Sequence, residues 1–226
     1  MNLTIIIPTL NEELYIGRLL DELLTTNIPK ENIIIVDGGS TDKTKEIVDS
    51  KGVKFMQEAP SRAVQMNRGS QEAKTDWLYF IHADTIPPVS WPNDFELLIN
   101  QNLEGGTYRS KFENGPFMLN LNAFFTRFNW LVSRGGDQSL FIRKDVFNEV
   151  GGYNEEMTVM EEYPLIEDLM KRGQFKLFKG KTRICTRKYK GRSWLRVSRA
   201  NYVAFRLYKK GANSTLIKKR YLELLG

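Results

Sequence analysis

Trp77 to Ile81 is an unbroken run of five apolar or aromatic residues, and it is followed at once by His82, Ala83 and Asp84. With no polar residue to face water, such a run fits a strand covered on both faces, as in a parallel sheet. In an open α/β sheet the carboxyl end of a strand opens on the ligand crevice, at the point where strand order reverses. A carboxylate placed there can hold a hard divalent cation, and the cation can neutralise a diphosphate. Asp84 equally suits a cap for the turn into Pro87 and Pro88.

Strand and helix signals alternate up to this run. Leu3 to Ile7 is β-branched and ends at Pro8, and Thr9-Leu10-Asn11-Glu12 has capping-box spacing. It predicts a helix through Ile16, Leu19, Leu20, Leu23 and Leu24, stopped by Asn27 and Pro29. Asn32 to Val36 predicts a second strand that delivers Asp37, Gly38, Gly39 and Ser40, with Ser40 or Thr41 capping a helix to about Ser50. Val53 to Met56 is a third strand, and Ser61 caps a helix carrying Arg62, Gln65, Asn67 and Arg68. Strands alternating with helices of this length imply βαβ units with right-handed crossovers. Asp37 at a strand end can accept hydrogen bonds from a nucleobase or ribose, or it can cap a helix.

Beyond Pro92 the alternation breaks down. A helix is expected near Asp94 to Ile99, an antiparallel edge strand over Gly105 to Phe112, and a turn at Gly115-Pro116. Phe117, Leu121, Phe124, Phe125, Phe128, Leu131 and Val132 recur at helical spacing. This stripe predicts core packing, with a hydrophobic wall for a lipid-linked or aromatic acceptor as the alternative. Arg134 to Gln138 is a glycine-rich turn, and Ser139 to Ile142 is a strand leading into a short helix that Gly151-Gly152 terminates. Glu161 and Glu162 form an acidic pair before a helix that ends at Arg172-Gly173. From Ser193 the tail is a two-sided helix. Arg192, Arg196, Arg199, Arg206 and Lys210 lie on one side, with Trp194, Val197, Tyr202, Ala204, Phe205 and Tyr208 on the other. The basic side predicts a solvated face or, alternatively, contact with an anionic membrane.

At 226 residues and 41% hydrophobic content, the chain can bury a full core. Its formal charge of +6 favours anionic partners, yet no zinc, helix-turn-helix or RNA-binding signature accompanies it, so nucleic acid is not expected. A lone Cys185 excludes an internal disulfide and fits a reducing compartment. The opening residues carry no secretory leader pattern. Phe117 to Val132 is interrupted by Asn120, Asn122, Arg127 and Asn129, short of the roughly 18 apolar residues of a membrane span. A cytoplasmic protein, in one reading peripheral to a membrane, is expected.

Gly38-Gly39 does not make a dinucleotide fingerprint, because the acidic residue precedes the glycines. Taken together, Ile7 to Glu12, Val36 to Asp42, Arg62 to Gly69 and His82-Ala83-Asp84 resemble the motifs of family 2 glycosyltransferases of the GT-A fold. Gly136-Asp137-Gln138 and Met160-Glu161-Glu162 extend the resemblance, which spans Leu3 to Trp194 and looks closest to a small bacterial subgroup.

The resemblance implies an α/β fold: a mostly parallel, Rossmann-like sheet flanked by helices. Residues 1–90 would be the nucleotide half, 91–192 the acceptor half, and 193–226 a helical tail. It implies inverting transfer of a sugar from a nucleoside diphosphate sugar, with UDP as the expected nucleotide, to a hydroxyl or lipid-linked acceptor. Pro8, Thr9, Asn11, Glu12, Asp37, Gly38, Ser40, Arg62, Gln65, Asn67 and Ala83 match donor-binding positions. Asp84, with His82, matches the metal position for Mn2+ or Mg2+. Glu162 matches the catalytic base, Glu161 stands beside it, and Trp130, Asp137 and Gln138 match acceptor positions. His82 replaces the usual first aspartate of the metal motif, and imidazole suits Mn2+ better than Mg2+. The rivals are a catalytically impaired nucleotide-sugar binding protein and a sugar nucleotidyltransferase. The latter should carry a basic glycine-rich loop where this chain has Pro8 to Glu13.

Overall fold

The computed structural model describes every residue except 114–116, 136–137, 190 and 192, and only the backbone at 188. The expected Gly115-Pro116 turn, Gly136, Asp137 and Arg192 therefore lie outside the described residues. The strands are β1 (Leu3–Thr9), β2 (Ile33–Asp37), β3 (Lys54–Gln57), β4 (Trp77–Phe80), β5 (Thr85–Ile86), β6 (Gly105–Phe112), β7 (Leu140–Arg143) and β8 (Phe175–Ile184). They form one sheet in the order β3-β2-β1-β4-β7-β6-β8-β5.

β1 lies parallel to both β2 and β4, and β2 lies parallel to β3. The apolar runs predicted to be covered on both faces are so. On one side Leu3, Ile5 and Ile7 of β1 meet Trp77 and Tyr79 of β4, beneath α1 (Ile16–Leu24), α2 (Thr44–Lys51) and α4 (Trp91–Asn100). On the other, Ile6, Leu78 and Phe80 meet α3 (Arg62–Glu72), α6 (Lys144–Glu149) and α7 (Tyr163–Arg172). Alternation of side chains along each strand divides them between the two layers. α7 ends where Gly173 adopts a left-handed conformation, φ 75°.

Several local expectations fail. α1 begins six residues later than the capping box implies, and neither α1 nor α2 has a side-chain cap. The Thr9 and Ser40 hydroxyls donate instead to Asp37, which wins because it is a buried carboxylate needing donors. β6 is an interior strand: it is antiparallel to β7 but parallel to β8, whose polar run Phe175–Ile184 was not anticipated. Its first residue is Gly105, where a Cβ would come within 2.8 Å of the Phe141 carbonyl oxygen.

The apolar stripe after residue 117 is not core. Helix α5 (Phe117–Phe125) ends before the stripe does, and no residue of the stripe is buried, whereas Leu119, a position outside the expected face, is fully buried. Phe117 is 81% exposed and Trp130 53%. The tail is two helices, α8 (Trp194–Lys209) and α9 (Ser214–Leu225), packed on each other around Gly211, φ 70°. Val197 and Ala200 pack with Leu225, and Ala204 and Ile217 pack against Met157, Met160 and Tyr163. Tyr202, on the side expected to be apolar, is exposed.

Candidate active site

The parallel strands β1, β2 and β4 end together, and the loops beyond them carry the matched motifs. Thr9 pairs with Asp37 in register. Asp37 is fully buried, and its carboxylate accepts from the Thr9 hydroxyl (2.9 Å), the Gly39 and Ser40 amides (2.9 and 2.7 Å) and the Ser40 hydroxyl (2.5 Å). Gln65 reaches up from α3 and donates to the carbonyls of Thr9 and Val36, at 2.8 and 2.7 Å. Gly38 fits tightly here, since a Cβ would meet the Pro60 Cα at 3.0 Å. Pro8 is buried in β1. Asn11 is left-handed, φ 55°. Its amide donates to the Ser40 hydroxyl and its side-chain oxygen accepts from the Thr41 amide, joining the two loops. These residues build one floor at the strand ends largely by bonding one another.

Beside that floor stands a charged cluster. Arg187 donates to both Glu12 oxygens at 2.5 and 2.6 Å, and its Nε lies 2.9 Å from Asp84. The guanidinium also lies over the Tyr15 ring, 4.9 Å from its centroid. Ala83 is buried, and the Cys185 amide donates to the Asp84 carbonyl, fixing the chain that carries Arg187. Burial raises the Glu12 carboxyl above its ordinary pKa, against the pull of Arg187. Burial also works against the Arg187 charge, but the Glu12 hydrogen bonds and the nearby Asp84 outweigh it, leaving the guanidinium more basic than usual. Among the described residues no three His, Cys, Asp or Glu side chains gather as a metal centre. The donor set still fits a hard cation: two carboxylates share one positive charge, and Mg2+ is often held by one or two carboxylates plus phosphate oxygens and water.

His82, two residues before Asp84, borders a different space. It lines a small cavity of about 20 Å3 with Gln138, Tyr153, Glu161 and Glu162. The two glutamates diverge from there. Glu161 is buried and pairs with Arg62 at 2.9 Å, leaving its other oxygen without a hydrogen bond. Glu162 reaches the wall of a second cavity of about 610 Å3. Met160 just before them is left-handed, φ 65°, an uncommon conformation for a side chain of this size. Asn67 braces the segment leading to them through the Tyr153 amide and carbonyl, both at 2.9 Å. Arg62, Gln65 and Asn67 thus tie the two halves of the site together.

Trp130, Gln138, Arg62 and Glu162 all line the larger cavity, which lies between the 125–135 segment, the ends of β6 and β8, and the α8–α9 hairpin. Arg134, fully buried, holds this wall: it donates to the carbonyls of Thr126 and Phe128 and to Gln138. Burial pulls its pKa down to about 10.

Arg187, Tyr15 and Arg134 carried no motif. The only hint of Arg187 in the sequence is the basic run Arg183 to Lys188.

The "Glycosyl transferase family 2" model matches residues 4–150. A dolichyl N-acetyl-α-D-glucosaminyl phosphate 3-β-D-2,3-diacetamido-2,3-dideoxy-β-D-glucuronosyltransferase from Methanococcus voltae is 34% identical over 38% of this chain and 30% of its own length. Glycosyltransferase AglE of Haloferax volcanii is 26% identical over 66% of this chain and 55% of its own. The chain thus spans about a third to a half of the length of these relatives. TarS of S. aureus (residues 1–349) superimposes with a TM-score of 0.67 at 19% identity, over 82% of this chain and 60% of that one. The mannosyltransferase PcManGT of Pyrobaculum calidifontis, in complex with GDP-Man and Mn2+, gives 0.67 at 17% identity, over 92% and 64%. The fold is therefore the mixed α/β GT-A fold of these glycosyltransferases, and the match over residues 4–150 places the chain in glycosyl transferase family 2.

Proposed function

We propose that this chain transfers a sugar, with inversion, from a nucleoside diphosphate sugar to a hydroxyl-bearing or lipid-linked acceptor, with UDP as the nucleotide. The observation that carries this reading is the Glu12–Arg187–Asp84 cluster at the carboxyl ends of β1 and β4. It concentrates cationic and cation-binding groups where a diphosphate would lie against the loops after β1 and β2. Solved structures of the same fold contain UDP-GlcNAc in TarS, and UDP with Mn2+ in glucosyl-3-phosphoglycerate synthase of Mycobacterium tuberculosis.

Asp84 and Glu12 would hold Mn2+ or Mg2+, with Arg187 released toward the diphosphate. A cation bound there neutralises the charge that develops on the departing phosphate oxygen. Arg187, freed from the carboxylates, supplies further positive charge at that oxygen. Glu162, facing the larger cavity, takes the proton of the acceptor hydroxyl as its oxygen bonds to the anomeric carbon. The electron pair of the breaking carbon–oxygen bond leaves with the nucleoside diphosphate. Such general-base assistance typically contributes about 10²–10⁴-fold. Arg62 holds Glu161 through the 2.9 Å pair, which leaves Glu162 to face the larger cavity.

A melting-temperature screen of UDP, GDP and their sugars, each with and without Mn2+, tests the reading, because any ligand of the native state raises the melting point. A metal-dependent rise with a nucleoside diphosphate is the expected result. No shift with any of them would overturn it, and a shift with GDP alone would replace the nucleotide.

A further inference from the structure

Between Phe117 and Val132 the chain presents an apolar surface that the fold does not cover. Phe117, Leu121, Phe124, Phe125, Phe128, Trp130 and Val132 are all at least 36% exposed. The rings form one ledge: Phe124 meets Phe125 and Phe128, and Phe128 stacks on Trp130 with centroids 4.6 Å apart. Phe117 and Leu121 precede Phe124 on the same side of α5 at helical spacing. A contiguous apolar patch of this kind marks an interaction site rather than ordinary surface.

Three observations select its occupant. Phe125, Trp130 and Val132 also line the 610 Å3 cavity, so the ledge forms one lip of that cavity's mouth. The other side of the cavity is the α8–α9 hairpin, which contributes Tyr202, Lys218 and Leu222. Residues 193–226 contain eight Lys or Arg against a single acidic residue, Glu223, and all eight basic side chains are exposed. No acidic residue occurs from 117 to 135, and the Arg127 guanidinium sits over the Phe124 ring, 3.8 Å from its centroid, placing a positive charge on the ledge itself.

Exposed aromatic rings flanked by basic side chains are what an interface between acyl chains and anionic headgroups accommodates. We infer that the α5–Trp130 ledge and the basic α8–α9 hairpin together seat this protein on an anionic lipid bilayer, with the mouth of the larger cavity turned toward the lipid. Among the described residues no helix is long and apolar enough to cross a membrane; the inferred contact is one of surface side chains with the lipid interface. The inference stands apart from the proposed transfer reaction, since binding to lipid needs neither donor nor turnover.

The test is co-sedimentation of the full chain with vesicles of phosphatidylcholine alone or mixed with phosphatidylglycerol, at low and high salt. Binding to the mixed vesicles, weakened by salt and accompanied by a blue shift of Trp130 emission, is expected. Phe117→Ser/Phe124→Ser/Phe128→Ser should abolish binding with an unchanged melting temperature, because these side chains are exposed. Arg199→Glu/Arg206→Glu/Lys210→Glu should cut binding to mixed vesicles at least tenfold. Binding that survives the serine substitutions would overturn the inference. So would a concentration-dependent dimer that the same substitutions dissolve while no vesicle is bound, which would make a second copy the occupant.

Discussion

Arg187 reaches across 175 residues of sequence to hold Glu12 with both terminal nitrogens, while its third nitrogen holds Asp84. A single guanidinium thus occupies the place between two carboxylates where a divalent cation would satisfy both. On the proposed reading the two cations are alternatives, and the arginine would leave before a metal entered.

Arg187→Ala should therefore respond more strongly to Mn2+ alone than the parent chain does, because the metal no longer displaces a bound guanidinium. Affinity for UDP in the presence of Mn2+ should fall about 10- to 100-fold, the worth of a hydrogen bond to a charged group. Calorimetric titration with each ligand separates the effects. An unchanged response to Mn2+ alone would refute the competition.

Asp37 carries a different load. Its four hydrogen bonds organise the loop from Asp37 to Ser40 and fasten it to β1. Truncation strands several buried donors, so Asp37→Ala should cost about 3 kcal/mol of folding, lowering the melting temperature by roughly 6–12 °C in a chain of this size. Nucleotide affinity should fall as well, since the loop loses its shape. A melting temperature within a degree or so of the parent would mean that the carboxylate serves a ligand and not the fold.

The central strands were legible because burial on both faces forces unbroken apolar runs such as Ile33–Val36 and Trp77–Ile81. The helix starts were not, because Thr9 and Ser40 obey a capping pattern yet donate to Asp37. That competition is tertiary and leaves no mark in local spacing. β8 was illegible for a related reason: five of its ten residues are Lys, Arg or Thr, and only part of the strand is buried. The stripe at 117–132 has a helical period, but a period says nothing of whether a partner covers it. Motif positions carried both kinds of meaning. Gly69 closes the matched Arg62 to Gly69 segment, yet a Cβ there would come within 2.5 Å of Ile6, so packing of α3 on β1 is reason enough for the glycine.

Acid stability should depend on Glu104. Arg172 donates to it twice, at 2.5 and 2.9 Å, and these bonds hold its carboxyl below the ordinary value of 4.5. The folded state therefore gives up this proton more readily than the unfolded chain. The resulting stability is present above pH 4.5 and is lost as pH falls through the folded pKa. Glu104→Gln should lower stability at neutral pH by about 1–3 kcal/mol and flatten this part of the acid transition. Urea unfolding at a series of pH values reads both, and an equally steep acid loss in the variant would assign it to other carboxylates.

The acidic pair divides its work by direction. Glu161 is turned inward onto Arg62, with its second oxygen buried and unbonded, while Glu162 borders the cavity where an acceptor would lie. A base must reach the proton it removes, so geometry favours Glu162. Glu162→Gln keeps the shape and should slow hydrolysis of the nucleotide sugar, in which water takes the acceptor's place, by about 10²–10⁴-fold with donor affinity intact. Glu161→Gln weakens the Arg62 pair and should lower the melting temperature as well as the rate. Loss of rate at constant affinity and stability from Glu161→Gln, with an active Glu162→Gln, would reverse the two roles. If the natural acceptor presents a phosphate that is already ionised, no proton needs removing. Glu162→Gln would then impair hydrolysis while sparing transfer, and comparing the two reactions in one variant distinguishes a hydroxyl acceptor from a phosphate.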